Sequence, residues 1–279
     1  KPVVLFGHHF AGIAGGGPII GPTVAVIFGF LPVWLWAVVG TIFIGAVHDM
    51  TVLFASIREK GKSVAEIAKE SLGNTGFFLF ISFAILMLIL LTSAFLGLTA
   101  VSLTSLVPVD MMRLDPNHAL VKTHLDKGVF VAHIGGISST SLMIITGFAP
   151  VLGWLVYKKG LNIIVATLLA IMVCIGSIVV GMQHPVMLDP DLWMIILCFY
   201  TLIAAGIPVW IILQPRDFTN SFLLYMGVAA LFIGGIAAGM KGVTFAAPAF
   251  NLAGGSAKLG PLWPFLFITV ACGAISGFH

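Results

Sequence analysis

A helix-breaking segment with two histidines lies inside an apolar stretch near the start of the chain, and it restricts the possible folds more than any other feature. Residues 6–18 have the sequence FGHHFAGIAGGGP, and Pro22 follows. In hydrocarbon, irregular backbone survives only where protein buries it or where it lines a cavity. Because the glycines and prolines weaken helical structure, we predict a helix break between residues 12 and 18. Transporters build binding sites from broken helices of this kind.

The composition around this segment excludes an ordinary water-soluble domain. Hydrophobic residues make up 59% of the 279 residues, charged residues make up 8%, and the mean hydropathy is +1.15. These values predict an all-α polytopic membrane protein. No cluster of basic and aromatic residues indicates a nucleic-acid partner, and no cofactor motif is present. Both ends adjoin apolar stretches, so we expect the chain to be a portion of a longer protein.

Eight segments are apolar enough to cross a bilayer at about 20 residues per crossing. Their predicted bounds are 3–30 (interrupted), 32–57, 76–107, 129–157, 161–182, 192–213, 221–240 and 261–279. Basic residues favour the cytoplasm, which predicts cytoplasmic loops around 58–73, 158–160 and 214–220. Residues 108–128 then form an extracytoplasmic loop.

A short amphipathic helix is predicted on the cytoplasmic side at 63–73. Apolar residues recur there at helical spacing, with Glu66 and Lys69 on the opposite side. Ser63 and Glu66 have the spacing of a capping box, and Gly73 is suited to end the helix.

The two histidines of the opening segment point in different directions on a helix. His8 shares a face with Gly12 and Gly15, whereas His9 points about 100° away. A break would free the backbone amides of Gly15–Gly17 and would begin a new helix beyond them. Free amides and a helix N-terminus both favour binding of an anion. Alternatively, the glycines only permit close helix packing. Each histidine is either a proton relay, since its charge changes near neutral pH, or a hydrogen-bonding strut.

A second polar group lies in residues 45–51, which have the sequence GAVHDMT. An aspartate within a membrane span is a functional hypothesis by default. Asp49 would carry a proton, bind a cation or orient His48. The structural alternative is a hydrogen bond from a broken-helix amide to Asp49.

A third group lies in residues 208–217, which have the sequence PVWIILQPRD. An arginine at a membrane edge usually extends toward the headgroups. The sequence Pro215-Arg216-Asp217 after a polar glutamine equally favours a gate or a contact with a substrate carboxylate.

The last residues resemble the opening segment, since both are apolar stretches in which glycines lie close to phenylalanine and histidine. Residues 266–279 have the sequence LFITVACGAISGFH, with glycines four apart and a histidine beside phenylalanine. Two glycine-interrupted apolar segments at corresponding places in two halves indicate an inverted-repeat transporter site. Candidate residues in this second segment are Ser276, Gly277 and His279.

The segments 6–22, 45–49, 213–217 and 265–279 resemble the carbon starvation protein A family, and the resemblance spans nearly the whole chain. That family comprises bacterial and archaeal inner-membrane transporters associated with peptide and pyruvate uptake, some of them proton-coupled. The resemblance implies a five-plus-five inverted repeat with discontinuous helices. Many members have glutamine at the position of His48, and members continue beyond the position of His279 into a Ser/Gly/Thr-rich stretch.

Together these patterns predict a secondary active transporter that imports a peptide or pyruvate with a proton or sodium ion. The expected substrate-binding residues are His8, His9, Gly12, Gly15, Gly16, Gly17, Ser276, Gly277 and His279. Asp49 and His48 are expected to couple the ion, and Pro215, Arg216 and Asp217 to form the gate. One alternative is an intramembrane metal-dependent enzyme using His8, His9, His48 and Asp49, although no HExxH-type motif accompanies them. A passive channel is another alternative.

Overall fold

The computed structural model describes residues 2–112, 121–126, 128–244 and 246–274, with side chains described up to residue 271. These residues are mostly α-helical. The helices are α1 (Pro2–Ile13), α2 (Gly16–Ala25), α3 (Phe30–Gly40), α4 (Ala46–Arg58), α5 (Val64–Leu103), α6 (Ile134–Tyr157), α7 (Ile163–Gln183), α8 (Pro190–Gly206), α9 (Leu213–Met240), α10 (Leu252–Leu259) and α11 (Leu262–Ala274).

Six helical segments of the described residues are long and apolar enough to cross a membrane. They are Pro2–Phe28, Phe30–Arg58, Val64–Leu103, Ile134–Tyr157, Ile163–Gln183 and Leu213–Met240. Shorter apolar helices, Pro190–Gly206 and Leu262–Ala271, overlap the other two segments predicted to span, 192–213 and 261–279. The chain is therefore an α-helical multi-pass membrane protein.

The chain folds as two compact units, each with its own apolar core. The first unit contains the residues up to Ala11 and Leu91–Leu231, and the second contains Gly12–Leu90 and the residues from Phe232 on. The first unit has two buried clusters: Val4, Leu152, Val156, Ala166, Ala170 and Phe218 form one, and Ala100, Leu103 and Trp193 form the other. The second unit buries Ala25, Phe28, Val33, Leu266 and Val270.

Close packing of α6 against α7 organises the first unit. The buried hydroxyls of Ser141 and Ser177 are 2.7 Å apart. A Cβ atom on Gly181 would lie 2.8 Å from the carbonyl oxygen of Ile137. Small residues at such positions let membrane helices approach closely, which brings their polar side chains within hydrogen-bonding distance.

A small antiparallel sheet precedes α6. Its strands are β1 (Val107–Pro108), β2 (Thr123–Asp126) and β3 (Val129–Ala132), in the order β1-β3-β2, and Thr123 pairs with Ala132. The sequence places residues 129–132 in a membrane span, whereas the structure pairs them as β3. Their apolar and β-branched side chains suit a strand as well as a span.

The opening helix breaks inside the window that the sequence predicts. Helix α1 ends at Ile13, and Gly15 has an extended backbone (φ −71°, ψ −162°) before α2 begins at Gly16. A second break follows at Gly29, whose φ of +104° favours glycine. There the amides of Phe30 and Leu31 donate to carbonyl oxygens of residues 248 and 249. The freed backbone groups are thus paired within protein, as hydrocarbon requires.

The start of α5 agrees with the sequence pattern, whereas the start of α9 does not. Ser63 and Glu66 exchange capping hydrogen bonds, and α5 kinks at Gly73, where φ is +74°. At 214–220 the sequence predicts a loop, whereas the structure begins α9 at Leu213. A proline is tolerated in the first turn of a helix, so Pro215 does not end the helical structure here.

Candidate functional site

Four polar side chains form a continuous hydrogen-bonded chain inside the first unit. Asp217 places one carboxylate oxygen 2.9 Å from Nδ1 of His8. Its other oxygen accepts from Nε and Nη2 of Arg216, at 3.0 and 2.8 Å. The Nη1 atom of Arg216 donates to the Tyr200 hydroxyl at 2.6 Å. The cluster His8, Asp217, Arg216 and Tyr200, called the Arg216 network below, therefore joins α1, α9 and α8.

Small and buried residues position this network. Gly7 lets α1 approach α9 closely, since a Cβ atom there would lie 3.0 Å from both the Phe218 ring and the Ser221 hydroxyl. Pro215 is fully buried in the first turn of α9. A Cβ atom on Gly153 would lie 2.9 Å from the Pro215 ring. The start of α9 is thus held on α6, and this fixes where Arg216 and Asp217 point.

A cavity of about 490 Å³ opens beside Arg216. Its volume lies within the range usual for small-molecule sites, roughly 300–1,000 Å³. Its lining is mostly apolar, with a few polar groups. The lining residues are Thr99, Leu142, Met143, Thr146, Trp193, Ile196, Leu197, Tyr200, Arg216 and Asn220. An apolar cavity with one cation and several neutral hydrogen-bonding groups suits a small organic anion.

A second cavity of about 440 Å³ adjoins the first. Leu142 and Asn220 line both cavities, and Ser138 and Ser141 line the second. The two cavities together extend along the α6 side of the first unit, with Asn220 between them.

The other residues of the opening segment lie apart from this hydrogen-bonded chain. His9 is exposed, and its ring is tilted against that of His8 with centroids 5.9 Å apart. Gly12 has open space where a Cβ atom would lie. Gly16 and Gly17 provide the first amides of α2, and Gly15, which precedes them, makes no side-chain capping bond. Gly12 and these later glycines belong to the second unit.

The His48–Asp49 pair also belongs to the second unit. Nδ1 of His48 lies 3.1 Å from the Asp49 carboxylate, and the side chains are 43% and 35% exposed. The pair lies in the first turn of α4, just after a π-helical turn, Thr41–Gly45, and two residues separate it from that turn. Such turns inside α-helices often occur at functional sites.

Three expected site residues, Ser276, Gly277 and His279, lie outside the described residues. Among the residues that are described, no three His, Cys, Asp or Glu side chains form a group able to hold a metal ion. The metal-enzyme alternative therefore gains no support from this part of the chain.

The sequence interpretation assigned His8 and Arg216 to different sites, and it missed Tyr200, Trp193 and Asn220. A helical pattern could have indicated two of them. Asn220 follows Arg216 by one turn, and Tyr200 follows Trp193 by two turns on an otherwise apolar helix. Both spacings put the residues on one helix face.

A further histidine pair lies at the small sheet, with His124 in β2 and His133 between β3 and the start of α6. Nδ1 of His124 is 2.8 Å from Nε2 of His133. The Nδ1 atom of His133 is buried and has no hydrogen-bond partner among the described protein atoms. Burial lowers the pKa of His133 below its ordinary value, and the charges of His124 and Lys122 act in the same direction. His133 is therefore held in its neutral form more strongly than an exposed histidine.

Comparison with known proteins identifies the relatives of this chain. It is 37% identical to the peptide transporter CstA of Bacillus subtilis, over 99% of this chain and 42% of that protein. It is 33% identical to the pyruvate/proton symporter BtsT of Escherichia coli, over 99% of this chain and 36% of that protein. The chain thus spans about two fifths of the length of these relatives. No solved structure matches it. Residues 1–279 match the model of the family described as carbon starvation protein CstA, and the chain belongs to that family.

Proposed function

We propose that the protein is a secondary active transporter that imports a small carboxylate-bearing nutrient, a peptide or pyruvate, with a proton across the inner membrane. The observation that carries this proposal is Arg216, a cation held among apolar helices with its guanidinium at a cavity of ligand size. The relatives named as a peptide transporter and a pyruvate/proton symporter handle molecules of this class.

Arg216 has donors left for a ligand. A guanidinium carries five N–H donors, and three of them are engaged by Asp217 and Tyr200. Two N–H groups therefore remain without a bond to the described protein atoms. A carboxylate matches the planar guanidinium geometry and forms short, charge-assisted hydrogen bonds. Asp217 and Tyr200 hold the guanidinium in place, so little side-chain entropy is lost when the ligand binds.

Charge balance in the Arg216 network couples the ligand to a proton. Arg216 and Asp217 compensate each other, so a bound carboxylate adds one uncompensated negative charge. Such a charge is costly within a membrane protein. A proton on His8, which bonds Asp217 directly, restores neutrality. Binding of the carboxylate and binding of the proton therefore strengthen each other, which favours a carrier loaded with both.

The remaining expected residues enter this proposal in supporting roles. The amides of Gly16 and Gly17 at the start of α2 would contact an anionic group. The His48–Asp49 pair would bind or pass the coupling ion. The Arg216–Asp217 pair, which follows Pro215 near the start of α9, would also act as a gate that changes when the ligand leaves.

The test is uptake of labelled pyruvate and of labelled alanyl-alanine into liposomes that contain the full-length protein. An inward proton gradient is expected to drive accumulation above the external concentration. Arg216→Lys keeps the charge but loses the planar fork, so uptake should fall by roughly tenfold or more. Arg58→Lys is the matched control, because the Arg58 side chain is 75% exposed.

Three results would contradict the proposal. Uptake by Arg216→Lys equal to wild type would remove Arg216 from the substrate site. Flux that never exceeds the external concentration would indicate a passive channel. Chemical conversion of the substrate that depends on bound metal would indicate an enzyme.

A further inference from the structure

Trp193 lines the Arg216 cavity and carries a buried hydrogen-bond donor that has no partner among the described residues. Trp193 is only 3% exposed, and its indole Nε1 makes no hydrogen bond to any described atom. The indole N–H is a donor that has no acceptor capacity. Buried polar groups of this kind are nearly always paired, so an orphaned one needs an explanation.

The side chains that pack around Trp193 offer no partner for its N–H. Its ring packs on Ala100 and Leu103, with Leu188 also against this cluster, and none of these side chains can accept a hydrogen bond. Trp193 shares the cavity-lining face of α8 with Tyr200, two helical turns further on. Tyr200 in turn bonds Arg216. Trp193 and Arg216 thus line one cavity.

We propose that Trp193 is a specificity-determining residue, whose indole N–H donates to a carbonyl oxygen of the ligand while Arg216 binds its carboxylate. This inference rests on the proposed function and adds to it the chemistry of the ligand. The ligand carries a carboxylate and a carbonyl oxygen, as in a 2-oxo acid or an N-acyl amino acid. A carboxylate without the carbonyl leaves the N–H unpaired, and sites built around such a bond reject the analogue that lacks it.

The test measures binding of two matched ligand pairs to the purified full-length protein by isothermal titration calorimetry. Pyruvate is compared with propionate, which lacks only the carbonyl oxygen. N-acetylglycine is compared with pentanoate, which lacks the carbonyl oxygen and the N–H of the amide. Wild type is expected to bind at least one carbonyl ligand about tenfold more tightly than its partner. A preference for pyruvate would indicate a 2-oxo acid as the ligand, and a preference for N-acetylglycine would indicate an N-acyl amino acid.

Trp193→Phe keeps an aromatic side chain but removes the N–H together with the five-membered ring. It should abolish this preference, measured as the ratio of the two affinities within each pair. Trp154→Phe is the matched control, because Trp154 is 49% exposed and is not among the residues lining the cavity. The preference should survive in that variant.

Failure of this inference is distinguishable from failure of the proposed function. If wild type binds both members of each pair equally, and Arg216→Lys weakens all four ligands, only the role of Trp193 is overturned. This outcome needs only wild type and Arg216→Lys, so it can be obtained even if Trp193→Phe does not fold. If Arg216→Lys binds all four ligands like wild type, or wild type binds none of them, the carboxylate site itself is overturned.

Discussion

Nδ1 of His8 lies 2.9 Å from the Asp217 carboxylate, although the two residues are 209 positions apart. The side chains are 26% and 15% exposed, so the contact is largely withdrawn from the surface of the chain. The same carboxylate holds Arg216 through its other oxygen. One aspartate therefore connects a group that can gain or lose a proton with a permanent cation at a cavity.

Replacing His8 with glutamine tests proton coupling. Glutamine keeps a hydrogen bond to Asp217 but cannot take up a proton. Proton-driven accumulation should therefore fall to the equilibrium level, while exchange of labelled for unlabelled substrate continues. Uptake and exchange assays in the same liposomes measure the two quantities. His9→Gln is the control, since His9 is exposed on the same helix. Normal accumulation by His8→Gln would remove this histidine from the coupling step.

Asp217 and Asp49 compete for the role of coupling carboxylate. Asp217→Asn leaves the Arg216 charge without compensation. The pair is partly buried, with side chains 23% and 15% exposed, so the cost should lie below the roughly 3–5 kcal/mol of breaking a fully buried ion pair. We expect a marked fall in the thermal unfolding midpoint and loss of uptake. Asp49 is 35% exposed and bonds its neighbour His48, so Asp49→Asn should shift the midpoint less.

Transport by Asp49→Asn then decides between the two carboxylates. Retained accumulation assigns coupling to the Arg216 network. A stable Asp49→Asn protein that exchanges substrate but no longer accumulates it would assign coupling to the second unit instead.

Replacing Gly153 with alanine tests how α9 is positioned. The added methyl group would lie 2.8 Å from the Trp210 carbonyl oxygen and 2.9 Å from the Pro215 ring. Overpacking of this kind costs typically 1–3 kcal/mol, roughly 2–12 °C in the unfolding midpoint of a chain this size. Substrate affinity should also fall, because the start of α9 carries Arg216. Differential scanning fluorimetry measures the midpoint.

Gly147 provides the control on the same helix. No atom lies within 4 Å of the position that its Cβ would occupy, so Gly147→Ala should leave the midpoint unchanged or slightly raised. Equal destabilisation by both variants would mean that helix propensity, and not contact with α9, determines the effect.

The histidine pair of the small sheet predicts lower stability in acid. Because the pKa of His133 is lowered in the folded protein from its ordinary 6.5, the unfolded chain binds more protons once the pH falls below that value. The contribution of neutral His133 to the free energy of unfolding is complete above about pH 6.5. It is lost as the pH falls through the lowered pKa that His133 has in the folded protein. The unfolding midpoint should drop between pH 7.5 and 5.5, and His133→Gln should reduce that drop. An identical drop in both proteins would show that other groups cause it.

Local features of the sequence predict much of the architecture. High hydropathy indicates a helical membrane protein, and the run Gly15–Gly17 predicts the break that the structure has at Gly15. The spacing of Ser63 and Glu66 predicts a capping box that is present. These features depend on neighbouring residues, because helix breaking and capping are decided within one or two turns. The β3 strand and the start of α9 at Leu213 depend instead on pairing and packing with distant residues.

The sequence by itself determined that polar groups enter the membrane near His8, near Asp49 and at Arg216, because each stands out against an apolar run. It did not determine which of them meet. The tertiary structure joined His8 to Asp217 and Arg216, added Tyr200, and put Trp193 and Asn220 at the same cavity. Such contacts depend on the rotation of each helix and on how closely small residues such as Gly7 let helices approach, and residues hundreds of positions apart set both.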